Sequence, residues 1–515
     1  MDWKGQVRPL SAAALVAATA AGGACRTQPS PADLERSAAT VLGSDVARRV
    51  GIIAHDSMLG RDTHSAGLDQ TAEYIAGEFA RLGLRPGGDT GSFLQRYPVT
   101  RRRLLPARST LVFARAGRGV ATLRFTRDAA FAQGEVPPAP LGGEVVLLGG
   151  GIDPERIPAA ELADKVVLWL ADWSPAGLAQ LDAISASIVA AGPRAVVVVP
   201  NDSAVVAGAR GAQEALRTAR EDPRGVLQFT AVLADQRAIT AGAGDAARLF
   251  AETRRRPETV ARRLEGWTAT LTLADTVVER RSAPNVVGIL DGADRALRQE
   301  YLVFSAHMDH LGVASGIPGD SIFNGADDDG SGTAGVLELA QAFTRPGARP
   351  RRSVIFLTVS GEEKGLWGSA WFTQHPPVAV ARLVADLNLD MIGRGWADSV
   401  AAIGREHSDL GETLARVAAR HPELRMTPVG DRWPAQKRFY RSDHYNFARQ
   451  GVPILFFSTG YSPDYHLPSD SPEKVDGEKE ARLLRLVFYL GEEVANAAAR
   501  PQWRPESYRT IVRRP

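Results

Sequence analysis

Five short stretches deliver Asp, Glu or His at the end of an apolar run or a glycine-rich turn. They are "SAHMDHLG" (His307, Asp309), "FNGADDDGSG" (Asp327, Asp328, Asp329), "SGEEKG" (Glu362, Glu363), "NLDMIG" (Asp390) and "DYHLPSD" (His466). Alone, each reads as a helix cap or a turn residue. Five in one half of the chain point instead to a shared site. Two imidazoles with several carboxylates suit a borderline cation such as Zn²⁺. The donors exceed what one tetrahedral ion needs, which favours two ions sharing a carboxylate. Such a pair can hold a hydroxide and polarise a carbonyl oxygen. The adjacent pair Glu362 and Glu363 fits this chemistry, because consecutive side chains on an extended segment point to opposite sides. One can ligate while the other reaches a water as general base.

The elements that must position these groups are legible as pattern. "YLVFSA", "RRSVIFLTV", "RLVADLNLDMI", "SVAAIG" and "VPILFFSTG" are continuous apolar runs, as in strands buried on both faces. They alternate with helical periodicity: Val336, Leu339, Ala340 and Phe343, then Leu483, Leu486, Val487, Leu490 and Val494. The pattern predicts an α/β fold, a mostly parallel, doubly wound sheet with helices on both faces. In such sheets, sites form at the carboxyl ends of strands, where groups distant in sequence converge. Earlier in the chain, Ala72, Ile75, Phe79 and Leu82 mark one helical face that stops at Gly83. Between residues 128 and 262 the texture changes to short Val/Leu-rich runs such as "DKVVLWLAD" and "RAVVVVPND", with no histidine. That segment is expected to be a separate module without metal chemistry.

A chain of 515 residues has room for two or three domains. Its net charge of +2 is close to balanced and gives no reason to expect a nucleic acid partner. No run reaches the roughly 20 apolar residues of a membrane-spanning helix. The start, "MDWKGQVRPLSAAALVAATAAGGAC", has Lys4 and Arg8, an apolar stretch from Leu10 to Ala21, then small residues before Cys25. This is the outline of an export signal over residues 1–24. Cys25, the single cysteine, resembles the lipid-modified residue of a bacterial lipoprotein, so a periplasmic or cell-surface location, or else secretion, is expected, with membrane contact only through that anchor.

The motif series "SAHMDHLG…GADDDGSGTAG…SGEEKGLWGS…NLDMIG…YHLPSD" resembles the zinc exopeptidases of the aminopeptidase Y type, metallopeptidase family 28. The resemblance implies a discontinuous catalytic domain, residues 35–127 and 263–500, after a linker at 25–34 and before a tail at 501–515. Residues 128–262 resemble, more weakly, the protease-associated domain that many members carry as a β-rich insertion. It also implies two zinc ions per chain: His307, Asp328 and Asp390 on one, Asp328, Glu363 and His466 on the other, with Asp328 bridging. Glu362 becomes the general base, and Asp309 the carboxylate that orients the His307 ring. The Asp328–Asp329 bond is expected to be cis. "RSDHYNF" (Ser442, Asp443, His444) matches a supporting motif, and Tyr440 is a candidate oxyanion donor. His310 reads as a bystander, and His55, His64, His375, His407 and His421 as surface or structural residues. The implied activity is removal of N-terminal residues from peptides. A carboxypeptidase or dipeptidase, a glutaminyl-cyclase-like acyltransferase and a receptor-like relative without catalysis remain alternatives.

Overall fold

The computed structural model describes residues 29–512, apart from 179, 213–215, 222–228, 243–244 and 315–318. The expected export signal and Cys25 lie outside the described residues.

The apolar runs of the second half form one ten-stranded sheet. Its centre is four mutually parallel strands, in the order Ile454–Ser458, Leu383–Leu389, Tyr301–His307 and Ser353–Val359. Towards one edge, Ser399–Ile403 joins Ile454–Ser458 antiparallel and carries Thr427–Val429 parallel to itself. On the other side, Asp275–Leu290 joins Ser353–Val359 antiparallel and forms a long antiparallel ribbon with Leu94–Leu104. Parallel pairing thus dominates where the chemistry-bearing motifs emerge, while the flanks are antiparallel.

Both faces of this centre are covered, which explains its continuous apolar runs. Leu302, Phe304 and Ala306 point into one core, and Tyr301 and Val303 into the opposite one. Val354 and Phe356 alternate in the same way with Ile355, Leu357 and Val359. The first core is covered by helices Gly43–Ile53, Ala66–Arg81, Gly332–Phe343 and Gly477–Asn496. The second is covered by Trp367–Gln374 and His444–Arg449. Ala66–Arg81 starts where Ser65 accepts from the Leu68 N–H, an ordinary N-cap, and buries Ala72, Ile75 and Phe79. Within the expected tail at 501–515, Pro505–Ile511 is a helix, Ile511 is buried, and Trp503 donates to the Gly451 carbonyl.

A second sheet of eight strands has its own two cores. Its parallel strands Leu141–Gly150, Val166–Ala171 and Ala195–Pro200 match the Val-rich runs. This sheet begins earlier than residue 128, because Thr110–Arg115 and Arg118–Arg124 pair into it, and it ends with Thr259–Thr272. The junction with the first sheet is the paired position Leu104 and Asp275. The separation is incomplete, since Arg217–Arg220 leaves the second sheet and pairs with Leu94–Leu104.

Candidate active site

His307 is the last residue of its strand, and Asp390 directly follows the neighbouring parallel strand. Glu362 and Glu363 follow Ser353–Val359 after the turn at Gly361, whose φ of 74° is easy only for glycine. Asp328 lies in the turn Ala326–Ser331 that leads into the helix Gly332–Phe343. His466 comes from the loop beyond Ile454–Ser458. All five expected ligands and Glu362 therefore meet at the carboxyl end of the parallel centre, lining a cleft of about 210 Å³.

The distances divide the ligands into two groups that share Asp328. His307 Nε2 is 3.2 Å from Asp328 Oδ1 and 3.8 Å from Asp390 Oδ1. His466 Nε2 is 3.2 Å from Asp328 Oδ2 and 3.3 Å from Glu363 Oε2. The two oxygens of Asp328 thus face different imidazoles. The Asp328–Asp329 peptide bond is cis.

His310, read from sequence as a bystander, belongs to this site. Its Nδ1 is 2.8 Å from Glu363 Oε1, and with Asp328 and Glu363 it forms a cluster compact enough to hold a cation. The close approach depends on Gly325, since a Cβ there would collide with the His310 ring.

A layer of hydrogen bonds fixes these groups. Asp329 accepts from the N–H groups of His307, Gly332 and Met391, tying two strand exits to the start of the helix Gly332–Phe343. Asp470 accepts from the N–H groups of Asp327 and Asp328. Ser442 donates to Asp390 Oδ2 at 2.7 Å and is itself held by Asn388. Arg61, completely buried, donates to the carbonyls of Ile53, Met308, Asn324 and Gly325. Met391 and His466 have φ of 59° and 57°, a left-handed conformation for residues with side chains.

Asp309 acts on its surroundings somewhat differently from the expectation. His307 Nδ1 is 3.2 Å from the Asp309 carbonyl and 3.7 Å from its carboxylate. An Nδ1–H donated to that carbonyl leaves Nε2 free to ligate. The Asp309 carboxylate instead accepts from Thr63 Oγ1 and from the Glu362 N–H, so it fixes the base's backbone. Tyr440 is not among the cleft-lining residues, whereas Tyr465 is, stacked on the His466 ring. His444 is buried with Nε2 at 2.9 Å from the Phe439 carbonyl, and burial pushes its pKa down to about 3. It is a neutral structural residue.

The electrostatics match a cation site. Burial pushes the Glu362 carboxyl well above the ordinary range, against the pull of His307, and the neighbouring Glu363 and Asp390 carboxylates push it further. Burial opposes charge on His466, but Glu363 and Asp328 outweigh it and raise this imidazole to about 11. Asp328, Glu362, Glu363 and Asp390 would repel one another in a low-dielectric cleft without positive charge between them. The donor types and their grouping fit zinc.

Comparison with known proteins agrees. Residues 285–491 match peptidase family M28. A probable leucine aminopeptidase of Arthroderma otae is 26% identical over 232 residues, 44% of this chain and 61% of that protein. The aminopeptidase YwaD of Bacillus subtilis is 26% identical over 191 residues, covering 35% and 39%. A probable glutamate carboxypeptidase of Arthroderma benhamiae is 28% identical over 200 residues, covering 36% and 26%. The chain thus spans less than two thirds of the length of each of these curated relatives. In fold it is similar to an aminopeptidase from Aneurinibacillus sp. strain AM-1, with a TM-score of 0.52, 19% identity, and coverage of 90% of this chain and 97% of the other. The strand-exit motifs, their convergence and this match lie in one stretch, and residues 285–491 of the chain form a domain of peptidase family M28.

Proposed function

We propose that the protein is a dizinc exopeptidase that removes N-terminal residues from peptides. The observation that carries this reading is the pair of ligand groups sharing Asp328, whose two oxygens face His307 and His466. His307, Asp328 and Asp390 would hold one ion, and Asp328, Glu363 and His466 the other, with His310 Nδ1 beside the second oxygen of Glu363. Zinc supplies Lewis acidity there and an acidified water.

Glu362, which lines the same cleft, takes the proton of the attacking water and returns it to the leaving amine. Its burial supports this role, because a base whose charge is disfavoured holds a proton nearer neutral pH. Asp309 fixes the Glu362 backbone, and Ser442 fixes Asp390. The names of the relatives favour removal from the amino end.

The proposal includes export on the residue 1–24 signal, a lipid anchor at Cys25, and a protease-associated identity for the second sheet. Among the described residues, that sheet adds nothing to the cleft lining. Metal analysis, together with hydrolysis of leucine p-nitroanilide and its N-acetyl derivative, tests the function. The expected result is bound zinc and cleavage of the free-amine substrate alone. Preferential cleavage of the blocked substrate would overturn the aminopeptidase assignment.

A further inference from the structure

The cleft has a cationic wall that the proposed hydrolytic chemistry does not use. Arg438 and Arg441 line it, together with Met391, Ser458 and Tyr461. Arg438 is 3% exposed. Its guanidinium is sandwiched between Trp433, at 4.1 Å to the ring centroid, and Tyr461, at 3.8 Å. Trp433 is in turn stacked on Trp396, with the rings 3° from parallel. Nε donates to Gln436 at 2.8 Å, and Nη1 reaches Ser458 Oγ at 3.4 Å.

Among the described residues Nη2 has no hydrogen-bond partner, and no carboxylate forms an ion pair with Arg438. Buried arginines ordinarily have such a partner, because an uncompensated charge in a dry site is costly. The aromatic rings stabilise the two faces of the guanidinium but leave its donor edge to be satisfied by something else. Burial, with Arg441 adding its own positive charge, works against protonation, and the Asp390 carboxylate works for it. In the proposed function Asp390 is already committed to zinc. A planar donor edge lining the cleft matches a carboxylate better than any neutral group.

We propose that Arg438, beside Arg441, receives a carboxylate of the substrate, so the protein favours peptides bearing an anion next to the cleaved bond. This rests on the peptidase reading above. Two parts of a peptide carry that chemistry: the side chain of an N-terminal Glu or Asp, and the free α-carboxylate of a dipeptide.

The test uses the zinc-loaded full chain. One arm compares kcat/KM for glutamyl and glutaminyl p-nitroanilides, which lack any other carboxylate. The second compares Leu-Leu with Leu-Leu amide. The expected result is a preference of about tenfold or more for the anionic member of one pair, since a site built for a polar group rejects its absence strongly. The pair that discriminates identifies the source. In Arg438→Met the ratio should collapse towards one, and Arg438→Lys should restore part of it, which a purely structural arginine would not do.

Calorimetric binding of glutamate and glutamine to the same zinc-loaded protein separates this inference from the peptidase reading. Glutamate binding tighter, in an Arg438-dependent way, supports the carboxylate site even if no peptide is hydrolysed. Hydrolysis of neutral substrates with no preference in either wild-type pair overturns the inference and leaves the peptidase reading standing. Equal binding of glutamate and glutamine, without preferential hydrolysis, also overturns it.

Discussion

Replacing Arg61 with methionine tests how the amino-terminal segment holds the site. Arg61 is completely buried, and its guanidinium donates to four carbonyls, at 2.8 Å to Met308, 3.0 Å to Ile53, 2.5 Å to Asn324 and 2.8 Å to Gly325. Met308, Asn324 and Gly325 flank the stretches that carry His307 and Asp328, and Ile53 ends the helix Gly43–Ile53. Methionine fills much of the volume but leaves the carbonyls without this donor. Hydrogen bonds from a charged donor contribute about 1.5–3 kcal/mol each, so the gross loss is roughly 6–12 kcal/mol. Burial of the guanidinium offsets part of this, since it pushes the Arg61 pKa down while Asp309, Asp328 and Asp470 hold it up. The net destabilisation should be about 3–5 kcal/mol. Urea unfolding with and without zinc measures it, and zinc titration should show weaker binding because the Asn324–Asp328 loop has lost its anchor. A loss below about 1 kcal/mol, with unchanged zinc affinity, would refute the reasoning.

Glu362→Gln should keep its zinc while kcat falls by roughly 10²–10⁴-fold, whereas Glu363→Gln should lose zinc affinity and regain some activity with added zinc. Metal titration and steady-state kinetics check the pair, and the opposite pattern reverses the assignment. Glu492 is buried, with Asn496 donating to one oxygen, and burial pushes its carboxyl up to about 8. The folded state therefore holds a proton that the unfolded chain releases near pH 4.5, so this group's effect on stability worsens from about pH 4.5 to 8. Glu492→Gln should flatten that part of the stability–pH curve and raise stability at pH 8 by up to a few kcal/mol. Unfolding followed across pH 5–9 would show no such flattening if the group were ionised in the fold. Excising residues 105–274 should leave a foldable zinc-binding domain, because Leu104 and Asp275 are cross-strand partners that an Asn-Gly turn can join. Loss of zinc from a folded excision variant would place part of the site in the second sheet.

The candidate ligands were legible because each follows an apolar run or a glycine-rich turn, and both patterns are local. His310 was not. It lies three residues beyond His307, past the strand's end, where alternation no longer tells which way a side chain points. Only the close packing against Gly325 brings its ring to Glu363. Arg61 and Thr63 are illegible for a different reason: their partners are distant in sequence, and an isolated polar residue in a loop carries no periodicity. Asp470 closes the "DYHLPSD" stretch, but its partners, the Asp327 and Asp328 N–H groups, are equally distant in sequence. The expected boundary at residue 128 fell too late because Thr110–Arg115 and Arg118–Arg124 are patterned like any half-buried strand. Which sheet receives them depends on register with Thr259–Thr272, long afterwards in the chain. The parallel pairing expected of strands buried on both faces holds for the four central strands, but Ser399–Ile403, an equally apolar run, pairs antiparallel with Ile454–Ser458. The antiparallel ribbon of Leu94–Leu104 with Asp275–Leu290 is interrupted by the whole second sheet, so no hairpin turn announces it.

The shared carboxylate is the central claim, and zinc per folded chain in wild type and Asp328→Ala tests it most directly. Both proteins would be loaded with zinc near neutral pH, dialysed, checked for folding by circular dichroism, and measured by elemental mass spectrometry. If Asp328 serves both ions, wild type should retain two and Asp328→Ala should lose both together. A folded Asp328→Ala that retains one tightly held zinc, or a wild type that never binds more than one, would contradict the account.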